Sequence, residues 1–303
     1  MYFAIDPALP DLQNQIVQSL TGLYKDCVDA SPYVFALIDG VFDEQLLARR
    51  GWSRQTKYSL YEGTDLEEFG AAAPHLLEAP VEIDERERWL REIISACEGK
   101  PMLSFLASVL SAPELCLHFR PYLIARSEDL TEWPLRWADT RVLPEILAVI
   151  KPEYCEQLMS PLHAWWSIRR DGSLVVWKGT TASQRSPVGF DKIPLSDREF
   201  SELVDRAEAD AVLANIHDTH TDLLRRYTPS ECHARVAEHL LVASEHGIHA
   251  ASARQHFSML ALSLNESFAR HPAMATLLQR TQQGGDYASG IGTLPDAFWQ
   301  ETG

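Results

Sequence analysis

Two aspartates, Asp39 and Asp43, follow the apolar run Val34–Ile38 in the stretch "YVFALIDGVFDEQLL" that runs from Tyr33 to Leu47. Open α/β folds place nucleophiles and metal ligands at the C-terminal edge of a buried strand, which is where an apolar run ending in Asp39 would put a carboxylate. A phosphotransferase of that kind needs a second aspartate and a downstream lysine in supporting motifs, and no such set follows. Asp39-Gly40 is also turn chemistry. The aspartate hydrogen-bonds its own backbone and the glycine accepts unusual dihedrals. The turn is the better reading of the residues, with a hydrolase using Asp39 and Asp43 as the alternative.

Eight of the eleven histidines lie beyond residue 210: His217, His220, His233, His239, His246, His249, His256 and His271. Clustered imidazoles invite a metal-dependent enzyme. Yet H-E-x-x-H is absent, and the pairs His217/His220 and His246/His249 have no cysteine nearby, so no metal and no cofactor are expected. No G-x-S-x-G, phosphate-loop or dinucleotide motif occurs either. The five cysteines, Cys27, Cys97, Cys116, Cys155 and Cys232, are odd in number and far apart. That spacing predicts reduced thiols in a cytoplasmic protein.

A net charge of −16 disfavours a nucleic-acid partner. No apolar run is long enough for a membrane span, and the first fifteen residues lack the basic and apolar regions of a secretory signal. Five tryptophans (Trp133, Trp137, Trp165, Trp166 and Trp177) fall in one 45-residue window. Adjacent Trp165 and Trp166 on a strand must point to opposite faces. One of them becomes a partner-binding anchor unless a second layer covers it.

The elements that would carry these residues are legible in outline. Leu12, Ile16, Leu20, Leu23 and Tyr24 give residues 11–28 a helical stripe. "YVFALID" reads as a buried strand. Residues 43–50 read as a short helix with Asp43 as its N-cap and Gly51 as its stop. "TKYSLYEGT" is a second strand, "DERERWLREIISACEG" a helix, "PMLSFLA" a strand and "WPLRWAD" another. "AWWSIRRDGSLVVWKG" is a hairpin turning at Asp171-Gly172. From Ser196 onward the pattern is helical, opening on the capping box Ser196/Glu199. The order predicts an α/β or α+β domain with a mixed sheet over residues 1–180, then a linker, 181–195. An all-α domain, 196–283, and a Gly-rich mobile tail, 284–303, complete the chain.

Taken together, these segments resemble the adaptor chaperones of bacterial type VI secretion systems, a family first catalogued as a domain of unknown function. The resemblance is carried by "ALIDGVFDEQLL", "YSLYEGT", "AAPHLLEAP", "RWLREIISACEG", "LHFRPYLIAR", "LRWADTRVLPEIL" and "AWWSIRRDGSLVVWKG", in that order from Tyr33 to Gly179. Trp137-Ala138 stands where the family has an aromatic pair, and Thr140 where it has proline.

The resemblance implies a binding protein without enzymatic activity. Its partners would be the N-terminal region of a secreted effector, which it holds in the cytoplasm, and the spike protein onto which that effector is loaded. It also marks Asp39, Gly40, Glu62, Gly63, Arg136, Asp139 and Arg141 as signature positions. Asp39 is then expected to be forked by Arg141.

Overall fold

The computed structural model describes residues 2–26, 32–49, 52, 55–181 and 188–303. In chain order the N-terminal elements are α1 (Leu12–Asp26), β1 (Tyr33–Asp39), β2 (Lys57–Ser59), β3 (Pro74–Glu78), α2 (Ile83–Ala96), β4 (Leu103–Ser108) and α3 (Ala112–Phe119). They continue with β5 (Ile124–Arg126), β6 (Glu132–Pro134), α4 (Leu143–Val149), α5 (Pro152–Met159), β7 (Leu162–Ile168), β8 (Leu174–Lys178) and β9 (Ile193–Pro194). Then come only helices: α6 (Asp197–Thr219), α7 (Pro229–Glu245), α8 (Ala251–Ser263), α9 (Pro272–Gln282), α10 (Tyr287–Ile291) and α11 (Asp296–Thr302).

Six strands form one sheet in the order β2-β3-β1-β4-β7-β8, and every neighbouring pair is antiparallel. A small second sheet, β6-β5-β9, pairs β5 antiparallel with β6 and parallel with β9. The N-terminal part is thus α+β with mixed strand directions, and the C-terminal part is helical.

β1 is an unbroken apolar run because both faces of its sheet are covered. Side chains alternate along it. Phe35 and Leu37 join Leu106, Trp165 and the buried sides of α3, α4 and α5 in one core. Val34, Ala36 and Ile38 join Phe105, Trp166 and the buried sides of α1 and α2 in the other. Helix α1 offers Leu12, Ile16 and Leu20 to that second core, one turn apart on a single face. Helix α2 carries Asp84 and Glu85 in its first turn, where the helix dipole favours negative charge.

Several expected boundaries shift. The short helix at 43–50 is a single 3-10 turn, Leu46–Ala48, and Asp43 does not cap it with its side chain, which is drawn to Lys100 and Arg49. Gly51, its expected stop, lies outside the described residues, as does Cys27. The strand expected over "WPLRWAD" is only β6, since Trp137 leaves the sheet to send its Nε1 proton to the Tyr122 carbonyl at 2.6 Å.

The chain divides into two units, residues 5–205 on the one hand and, on the other, residues 206–303 with the start of the chain up to Ala4. The division falls inside α6. Of the segment expected to be a linker, 182–187 lie outside the described residues. The rest is built into the first unit: Phe190 packs edge-on against Tyr122 and Tyr154, and β9 adds a strand to the small sheet. Ser196/Glu199 closes the expected capping box ahead of α6, in the first unit, and in the second unit Thr228/Glu231 closes another ahead of α7.

The segment 284–303, expected to be a mobile tail, folds instead. Its glycines make a turn, with Gly284 at φ +95° and the Gly285 N–H donating to the Arg280 carbonyl. Beyond that turn, α10 and α11 bury Tyr287 and Phe298 in the core of Phe257 and Phe268. Burial of those two aromatic rings outweighs the flexibility that the glycine content suggests. Among the described residues, no helix is long and apolar enough to cross a membrane.

Candidate functional site

β1 ends on Asp39, whose carboxylate is almost wholly buried, at 1 % exposure. One oxygen accepts the Val41 N–H at 3.1 Å and so caps the 3-10 turn Gly40–Phe42. The other accepts from Arg136 Nη2 at 2.8 Å, across 97 residues of chain. Arg136 also lies 3.3 Å from Asp139. Arg141 then holds Asp139 in a bidentate fork, Nε to Oδ1 at 3.1 Å and Nη2 to Oδ2 at 2.8 Å. The fork that was expected on Asp39 is therefore on Asp139, and Asp39 belongs to Arg136. The pairing follows from topology. β1 points its end toward the loop that precedes α4, and Arg136 reaches that end while Arg141 turns back on its own loop.

Both guanidinium groups lie over the ring of Phe42, Arg136 at 4.9 Å and Arg141 at 5.5 Å from its centre. Two carboxylates and two guanidinium groups thus neutralise each other against an aromatic lid. Burial pushes the Asp39 carboxyl above its ordinary value. Arg136 and the Val41 amide pull it back, and the charge of Asp139 adds to the rise.

Asp43 does not share this site. It accepts from Lys100 at 2.7 Å and from Arg49 at 2.8 Å, and the Lys100 hydrogen bond holds it below its ordinary value. Asp39 and Asp43 are therefore two carboxylates with different cations, which is not the arrangement of a paired acid and base.

Gly40 is required by space. A Cβ there would stand 2.1 Å from the Ala71 carbonyl oxygen and 2.7 Å from that of Ala73, while the Gly40 N–H donates to the Ala73 carbonyl at 3.2 Å. Glu62 and Gly63 sit at a second point. Gly63 has φ +67° and its N–H donates to Glu67. The carbonyl of Glu62, rather than its carboxylate, accepts from Arg120 Nη2 at 3.1 Å. Tyr61 links the two points. Burial and the Asp39 charge push its hydroxyl up to about 12.

Trp165 and Trp166, the expected anchors, are both buried, which removes them from any partner surface. Trp165 donates to Ser104 Oγ at 3.0 Å and meets Phe119 edge-on. Trp166 lies in the opposite core beneath α1 and α2. Each face of the sheet has its own helical layer, so neither ring is left outside.

Three of the C-terminal histidines have partners close by in the fold. His239 stacks on Phe268 and bonds the Arg235 carbonyl, and His246 bonds the Val242 carbonyl. His217 meets Asp218 and stacks on Tyr2. Among the described residues no group of three or more His, Cys, Asp or Glu is placed to hold a metal ion.

Two features escaped the reading of the sequence. Phe42 gave no signal as the lid. Val81 and Ile83 are isolated apolar residues in the acidic run "EAPVEIDERE", which was a visible signal. Both line an open groove between α1, α2 and the ends of β1 and β3.

Residues 34–157, about two fifths of the chain, match the model of a protein family described as a domain of unknown function, DUF4123. The matched span contains β1 from its second residue, the quartet of charges and the Glu62-Gly63 turn. No curated protein and no solved structure matches the chain.

Proposed function

We propose that this chain is an adaptor chaperone. It binds the N-terminal region of a type VI secretion effector in the cytoplasm and promotes its loading onto the spike protein, and no bond is made or broken in the process. The observation that carries this reading is the closed quartet Asp39–Arg136–Asp139–Arg141 under Phe42. Its charges are spent on one another, so the residues that look most catalytic in sequence are used to hold a strand end and a loop together. The ordered segments from Tyr33 to Gly179 and the family match over 34–157 support the same reading. What remains for function is surface, and surface serves binding.

Co-expression with the product of an adjacent large open reading frame tests it. The expected result is a complex that survives affinity purification and needs the N-terminal region of that product. Absence of a complex, with turnover of a hydrolysable substrate that Asp39→Asn abolishes in a stable protein, would overturn it.

A further inference from the structure

The groove between α1 and α2 has the composition of a docking site. Its floor is apolar: Val17 and Leu20 from α1, Leu90 from α2, and Val34 from β1. The cavity holds about 580 Å³ and opens to solvent, within the range of sites that accept several apolar side chains. Its rim carries large hydrophobic residues in water: Val81 is 83 % exposed, Ile83 57 % and Tyr33 43 %. Clustered exposure of this kind marks an interaction surface, whereas scattered exposure does not.

The rim is also held in shape. Arg86 donates to the carbonyls of Pro80 and Val81 and lies 4.6 Å from the centre of the Tyr24 ring. Its charge is thereby turned toward the loop backbone and α1. Among the described residues, no cation pairs with the acidic side chains around it. Glu78 and Glu87 line the groove, and Glu82 and Glu85 stand exposed beside it. An apolar floor between two helices with an acidic rim is complementary to an amphipathic segment whose apolar face is flanked by lysine or arginine. A second copy of this chain, at net charge −16, is the wrong sign.

We infer that this groove docks a basic-flanked amphipathic helix of a partner protein. The inference rests on the adaptor reading to the extent that the helix would belong to the effector's N-terminal region.

The probe is a fluorescein-labelled synthetic Leu–Lys amphipathic helix of about five turns, with a Leu–Glu helix of the same pattern beside it. Fluorescence anisotropy reads binding to the full chain. Val81→Glu/Ile83→Glu and, separately, Val81→Ser/Ile83→Ser should each weaken the Leu–Lys probe about tenfold or more. Leu241→Glu, an exposed position in the C-terminal unit, should leave it unchanged. Glu82→Lys/Glu87→Lys should weaken the Leu–Lys probe and strengthen the Leu–Glu probe.

Groove variants that bind the probe as well as Leu241→Glu does would overturn the inference. So would a wild-type dimer that Val81→Glu dissolves, since a second copy would then occupy the groove. Effector co-purification with both groove variants at the wild-type level removes the groove and leaves the adaptor reading intact. Probe binding that the groove variants abolish, in a chain that never co-purifies an effector, keeps the groove and removes the effector.

Discussion

Replacing Arg136 by methionine should cost more stability than replacing its partner Asp39 by asparagine. Asp39 is 1 % exposed and Arg136 keeps 33 % of its side chain in water. Without Arg136, the Asp39 carboxylate is left buried with the Val41 N–H as its remaining hydrogen-bond donor. Stranding one charge of a buried pair costs roughly 3–5 kcal/mol, and Arg136→Met belongs near the lower end of that range. Asp39→Asn strands a guanidinium that still faces Asp139 and water, and the loss is that of one charged hydrogen bond, about 1–2 kcal/mol. The double variant should lose less than the sum, by about 1 kcal/mol or more.

The dependence on pH has a definite sign. Asp39 has its folded pKa raised, chiefly by burial. Such a carboxyl favours the fold most below its unfolded pKa of about 3.9, and that contribution is lost as pH rises through the folded value. Removing Arg136 takes away the largest opposing pull, so the folded value climbs further. The gap between Arg136→Met and wild type should therefore narrow as pH is lowered from about 7 toward about 5. Urea unfolding followed by tryptophan fluorescence reads the unit concerned, because seven of the eight tryptophans lie within residues 5–205. An Arg136→Met variant no less stable than Asp39→Asn, or a gap that widens on acidification, would refute the reasoning.

Three further substitutions follow from the geometry. Gly63→Ala must adopt φ +67° and place a Cβ 2.7 Å from Arg120 Nη2, so it should lose about 2 kcal/mol in urea. Arg120→Ala alone should lose the hydrogen bond to the Glu62 carbonyl, and the double variant should lose less than the sum of the two, because Gly63→Ala already displaces Arg120 Nη2. Trp165→Ala should cost about 3–5 kcal/mol by opening a cavity against Phe119 and Trp137. Effector pull-down should then fall only with the folded fraction. In the C-terminal unit, burial lowers the pKa of His239 and His256. A depressed histidine supports the fold above its unfolded value, about 6.5, and that support is lost as pH falls through the folded one. Stability of this unit should thus decline below about pH 6.5, and His239→Phe should flatten the decline in a pH series of thermal melts.

Local signals were legible in the sequence, and relations across the chain were not. β1 and the β7–β8 hairpin are visible because an apolar run and Asp171-Gly172 carry their own geometry. The partner of Asp39 is not visible, because the choice between Arg136 and Arg141 depends on where a loop some hundred residues away meets the strand end. The burial of Trp165 and Trp166 depends on layers supplied by α1, α2 and α3, and nothing in "AWWSI" records them. The last twenty residues misled for the same reason. Their glycines argue locally for motion, whereas Phe298 is held by a core that includes Phe257 and Phe268, thirty or more positions earlier.

A division of labour follows between signature and surface. Every charged side chain of the quartet has a partner inside the fold, and both tryptophans lie under helices. Asp39, Asp139 and both tryptophans are buried, and the part of Arg136 that water reaches belongs to a guanidinium already paired with Asp39. Substitutions there should lower binding and stability along one line, each loss of complex explained by loss of folded chain. Val81 and Ile83 are solvated and spend little on the fold, so their replacement should lower binding with the urea midpoint unmoved. Plotting effector capture against unfolding free energy for both groups separates the roles. If Val81 and Ile83 variants fell on the signature line, the groove would be part of the scaffold, and recognition would have to lie elsewhere on the chain.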